Sequence, residues 1–118
     1  MERGDKRSEV GVRQMQLNYK KFGEGFQIVI LHGLLGSLDN WQTIAKKLVS
    51  NQPQFSVYII DQRNHGRSPH TNEFSYEILT NDLLEFFEQH QIEKAHLIGH
   101  SMGGKVAMNF ALDRKSVV

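Results

Sequence analysis

Residues 97–108 read LIGHSMGGKVAM, and Ser101 in this stretch has a glycine two positions away on each side, Gly99 and Gly103. A serine hydroxyl is a weak nucleophile until the backbone exposes it and a base removes its proton. Small residues at these two positions let the chain turn sharply enough for the side chain between them to stand clear. The apolar run AHLIG at residues 95–99 precedes the serine, and MGGKVAMNFAL follows it with helical periodicity. The turn therefore joins a strand to a helix, and the helix onset aims the N–H of Met102 at the place where an oxyanion would form.

The same stretch can be written as G-x-x-x-x-G-K, the opening of a phosphate-binding loop, through Gly99, Gly104 and Lys105. The next residue is Val106, where such a loop needs Ser or Thr to hold magnesium. His100, Ser101 and Met102 would also have to take conformations that such loops assign to glycine. The nucleophile turn uses every residue better. An oxyanion needs a second donor, normally from the loop after an earlier central strand. ILHGLLGS at residues 30–37 lies there, with Leu34 offering its N–H on a chain that Gly33 leaves unencumbered. His32 is read as pinning that loop through a hydrogen bond, and His100 as buried packing.

These groups need a frame. VRQMQLNY at residues 12–19 alternates Met15, Leu17 and Tyr19 with polar neighbours, the period of a half-buried strand. After the break at GEG, FQIVIL at residues 26–31 and FSVYII at residues 55–60 read as strands covered on both faces. Between them Trp41, Ile44, Ala45, Leu48 and Val49 form a helical stripe, with Ser37 or Asp39 available to cap it. A polar loop containing Pro69 leads to a second helix over residues 75–89, carrying Tyr76, Leu79, Leu83, Phe86 and Phe87 on one stripe. Residues 95–99 make the last strand, and the helix from about Ser101 turns Val106, Ala107, Phe110 and Ala111 inward. Strand and helix alternating in this way predict an α/β fold of three layers, α/β/α, around a mainly parallel sheet. HGLLGS, DQRNHGRS and GHSMGG all leave the carboxyl ends of strands, the edge where such sheets bind ligands.

Composition narrows the alternatives. The chain has 118 residues, 39% of them hydrophobic, and a net charge of +1 from 14 basic and 13 acidic residues. That length suits one domain. The charge gives no reason to expect nucleic acid or an acidic membrane as partner. Without cysteine there are no disulfides, thiolate metal sites or thiol nucleophile. No apolar run approaches the ~20 residues that span a bilayer. The opening MERGDKRSEVG has no apolar core and reads as a disordered leader over residues 1–11. The expectation is a soluble, cytoplasmic protein with no metal and no cofactor.

In order and context, ILHGLLGS, IIDQRNHGRS and LIGHSMGG resemble the amino-terminal half of an α/β-hydrolase. DQRNHGRS together with GHSMGGK is most similar to the small esterases and thioesterases of the abhydrolase group. The resemblance runs from roughly Met15 to the end. It implies that Ser101 is a nucleophile forming an acyl-enzyme with a small-molecule ester or thioester. It implies an oxyanion hole at the N–H groups of Leu34 and Met102, with His32, Gly33, Gly99 and Gly103 supporting its geometry. A serine here argues against dehalogenase and epoxide hydrolase relatives, which place an aspartate in the turn. Asp61 and His65 are not read as triad partners, because the family order is Ser, then Asp or Glu, then His. After Ser101 the sequence holds only Asp113 as an acid, roughly 15 Å or more along the same helix, and no histidine.

The family sheet runs 1-2-4-3-5-6-7-8, so residues 12–118 are expected to cover one domain through strand five and its helix. The strand at residues 95–99 would then present an open edge able to self-associate. Two functional readings follow. The chain is the nucleophile and oxyanion half of a serine hydrolase, inactive alone, or it is a non-catalytic remnant or interaction module.

Overall fold

FQIVIL and FSVYII pair in parallel, and the sheet grows outward from them. β1 (Tyr19–Phe22), β2 (Phe26–Leu31), β3 (Phe55–Ile60) and β4 (His96–Gly99) stand in the order β1-β3-β2-β4. β2 pairs in parallel with both β3 and β4, while β1 runs antiparallel to β3. This is the 2-4-3-5 portion of the sheet order that the resemblance implies. The computed structural model describes residues 15–113, and the leader expected at residues 1–11 lies outside them.

Alternation along the central strands sorts the core into two clusters, one on each face. Ile28, Ile30, Val57 and Ile59 pack with Leu38 and Ala45 under α1 (Gln42–Asn51). Val29, Leu31, Tyr58 and Ile60 pack on the other side against α2 (Tyr76–Gln89) and α3 (Met102–Asp113). There Phe86, Phe87 and Phe110 are among the largest fully buried side chains, each worth about 2–3 kcal/mol of burial. The fold class is therefore the expected one: three layers around a mainly parallel sheet.

Local chemistry sets the helix starts. Ser37 accepts from the Asp39 N–H and caps a short 3-10 turn, Leu38–Trp41, from which α1 continues. Trp41 thus lies in that turn, one step before the helix. Ser75 accepts from the Ile78 N–H and precedes α2 as its cap, and α3 begins at Met102, one residue after Ser101.

The first strand is a correction. The alternating pattern placed it at residues 12–19, but β1 occupies Tyr19–Phe22, and residues 15–18 form no strand. Residues 12–14 lie outside the described part. Leu17 is nevertheless buried and Met15 packs against the core, as the alternation required. The Met15 backbone is satisfied by α2 and not by a ladder: Glu85 accepts from the Met15 N–H, and the Gln89 side chain donates to the Met15 carbonyl.

Candidate active site

The sequence places three loops at the carboxyl edge of the sheet; the structure brings the loops after β2 and β4 together at Ser101, with the loop after β3 bound to the first of them. The Ser101 φ of 55° lies in the left-handed region that side chains disfavour, a cost of roughly 1–3 kcal/mol. Hydrogen bonds on both sides hold it there. The His100 N–H donates to the Leu31 carbonyl at 3.0 Å, the Gly103 N–H to the His100 carbonyl at 2.9 Å, and the Lys105 N–H to the Ser101 carbonyl at 3.1 Å. The turn leaves Ser101 exposed and Met102 buried.

Close approach explains the flanking glycines. A Cβ at Gly103 would fall on the Leu31 carbonyl, so only glycine lets α3 start against the end of β2. At Gly99 it would fall on the Gly103 carbonyl. Gly33 faces the same turn from the neighbouring loop, where a Cβ would sit 2.7 Å from His100 Nδ1. The two loops are in contact through that missing side chain, and His100, expected as buried packing, is instead exposed at the cleft beside Ser101.

In the loop after β2, the N–H groups of Gly36 and Leu35 are taken by the Gly33 carbonyl and by His65 Nε2. Leu34 N–H makes no hydrogen bond among the described residues. Met102 opens α3, and the first N–H groups of a helix have no partner within it. Two donors at one edge, one of them beside the serine, can stabilise an oxyanion if they converge on it.

His32 is buried with both ring nitrogens engaged. Its Nδ1–H donates to the Gly33 carbonyl at 2.8 Å, and Nε2 accepts from the Gln62 N–H at 3.0 Å. The Gln62 side chain closes the link by donating to the His32 carbonyl. Burial holds the His32 pKa below its ordinary value, more than the backbone hydrogen bond and Asp61 raise it, with His65 adding to the lowering. The ring is a neutral pin between the two loops.

The loop after β3 is organised by Asp61. One carboxylate oxygen accepts from the Leu38 N–H at 2.7 Å, and the other from the Asn18 side chain and the Arg67 N–H, each at 2.9 Å. These commitments make Asp61 an anchor for three segments. Farther along, Arg63 grips Asp82 of α2 through two hydrogen bonds of 2.8 and 2.9 Å. Asp82 raises the Arg63 pKa, while burial raises that of Asp82 more than Arg63 lowers it.

Two clefts open on the serine. One, of about 290 Å³, lies between the Leu34 loop, Asn40, Trp41, Ile44, His100 and Ser101. The other, of about 340 Å³, is bounded by Leu34, Phe74, Tyr76, Ser101 and Met102. Leu34 and Ser101 border both. Ile44 and Tyr76, which helical spacing assigned to the core, are 51% and 40% exposed and line these clefts instead. Asp113 ends α3, away from the serine at its start. Among the described residues no cluster of three His, Cys, Asp or Glu could hold a metal, and no helix is long and apolar enough to cross a membrane.

A serine strained between strand and helix, at the carboxyl edge of a parallel sheet with helices on both faces, defines a class. A family model described as the alpha/beta hydrolase fold matches residues 27–118, and the chain belongs to that family. It is similar to the sn-1-specific diacylglycerol lipase ABHD11 of Danio rerio, 46% identical over 107 residues, covering 88% of this chain and 33% of that protein. Ethanol acetyltransferase 1 of Hanseniaspora uvarum is 47% identical over 90 residues, covering 76% of this chain and 27% of its own. A solved structure of a marine microorganism esterase matches with a TM-score of 0.81 at 50% identity, covering 86% of this chain and 38% of that one. The chain spans about a third of the length of these relatives.

Proposed function

We propose that this chain carries the nucleophile and oxyanion hole of a serine enzyme that takes acyl groups from carboxylic esters or thioesters. The observation that carries the reading is the left-handed backbone of Ser101. A non-glycine residue in this conformation, exposed between two clefts, indicates a side chain presented for chemistry. Relatives described as a diacylglycerol lipase, an esterase and an ethanol acetyltransferase support it, because acyl transfer is common to all three.

On this reading the Ser101 hydroxyl attacks the acyl carbonyl as a base takes its proton. The oxyanion accepts from the Leu34 and Met102 N–H groups, the leaving alcohol or thiol is protonated, and an acyl-serine remains for water to cleave. His32 and His65 do not supply the base, since the backbone occupies both nitrogens of each ring. The family order puts the acid and then the histidine after Ser101, and residues 102–118 hold no histidine.

A fluorophosphonate probe tests this on the full-length protein. The expected result is labelling at Ser101 that Ser101→Ala abolishes. Equal labelling of both proteins would sink the assignment and favour the second reading, a non-catalytic interaction module. That second reading draws on the commitment of His32 and His65 to the backbone.

A further inference from the structure

The geometry points to His65 as a positioning residue for the oxyanion donor of Leu34, an assignment that rests on the reading of Ser101 and Leu34 above. Leu35 has a φ of 64° and is 89% exposed. A leucine in left-handed backbone is strained, and a side chain so exposed offers no packing to hold it there. Two hydrogen bonds hold it: the Gly36 N–H closes the turn on the Gly33 carbonyl at 3.0 Å, and the Leu35 N–H donates to His65 Nε2 at 3.0 Å across the two loops.

The protonation state of the ring follows from its other partner. His65 Nδ1 lies 2.9 Å from the Arg63 carbonyl, and a carbonyl oxygen only accepts. Nδ1 therefore carries the proton, and Nε2 is left as the acceptor that Leu35 requires. His32 repeats the pattern on the preceding peptide, donating from Nδ1 to the Gly33 carbonyl. The two rings lie 4.9 Å apart.

Together they fix two successive peptide planes. In a trans peptide the C=O and N–H point in opposite directions. His32 and the Gly36 N–H draw the Gly33 carbonyl one way, which turns the Leu34 N–H the other. His65 holds the next plane through its N–H. With that bond gone, Leu35 can leave the left-handed region and open the turn that the Gly36 N–H closes on the Gly33 carbonyl, which leaves the plane of the Leu34 N–H held by His32 alone. His65 never touches substrate and acts only through the Leu34–Leu35 backbone.

The test uses three full-length proteins on a short acyl ester: wild type, His65→Phe and His65→Gln. Phenylalanine keeps a ring but neither hydrogen bond, while glutamine keeps an acceptor on a side chain that reaches as far as Nε2. His65→Phe should lower kcat ~10²-fold, the scale of a small misplacement at a reacting centre, with KM changed less than about twofold. His65→Gln should recover most of the loss. Ser101-dependent turnover that His65→Phe leaves intact would overturn this inference alone, whereas wild type without Ser101-dependent turnover would overturn the reading beneath it. If His65→Phe fails to fold, the ¹⁵N shifts of the wild-type His65 ring decide the matter. A proton on Nδ1 supports the assignment, and a neutral ring protonated on Nε2 overturns it, because such a ring cannot accept from Leu35.

Discussion

Side chains that are absent shape the site as much as those present. A Cβ at Gly103 meets the carbonyls of Leu31 and His32, backbone atoms that cannot move without displacing β2. A Cβ at Gly33 meets first the His100 ring, which is exposed and can swing aside. Gly103→Ala is therefore expected to cost ~10²–10³ in turnover, as loss of an oxyanion donor does, and to destabilise the chain. Gly33→Ala should cost much less of both, with Gly33→Val closer to Gly103→Ala. Comparing kcat and thermal midpoints of the variants checks the ordering, and equal effects of the two alanines would contradict it. Ser101 and its glycines were legible in the sequence because the turn demands small residues at fixed spacing. The role of His65 was not, since its acceptor function depends on Leu35, in a loop brought to it only by the pairing of β2 with β3.

The alternation of strands and helices was readable because each element buries one face or both. It failed where a segment finds its partners elsewhere, as at residues 15–18, where Glu85 and Gln89 hold the Met15 backbone and Ser68 and Asp61 that of Asn18. It also failed for Ile44 and Tyr76, because periodicity reports which face is apolar and not whether that face meets the core or a cleft. The loop after β3 rests on another such connection, the clamp between Arg63 and Asp82. Both side chains are largely buried, at 11% and 6% exposure. Removing one partner strands the other, so Arg63→Ala is expected to lose about 3 kcal/mol. Replacing both, Arg63→Met with Asp82→Leu, should lose markedly less, because no buried charge remains. Urea denaturation of the single and double variants measures the difference. Additive losses would show that the pair contributes no coupling.

At the scale of the molecule, one buried and one half-buried imidazole tie stability to pH. His32 between the loops and His90 among Tyr19, Tyr58 and Phe86 both have lowered pKa values, chiefly through burial, with Lys21 adding to the effect at His90. Unfolding releases them to protonate near the ordinary value of about 6.5. Their contribution is then complete above that pH and is lost as pH falls through the lower folded-state values. The thermal midpoint should decline from about pH 7 to 5.5, and His90→Phe should reduce the slope without altering the Ser101 turn. An unchanged slope would remove His90 from the account. The order of strands also has a consequence for how the chain acquires its shape. β2 is central, yet its second neighbour is β4, with Ile28 paired to His96 and Leu31 to Gly99. During synthesis β2 can zip to β3 early, but one row of its hydrogen-bonding groups stays vacant until β4 has emerged. Such long-range parallel pairing is intrinsically slow, and a half-made sheet is prone to aggregate. The strand that closes this gap is the one that presents Ser101, so Ser101 is seated only by the step that gives β2 its second neighbour.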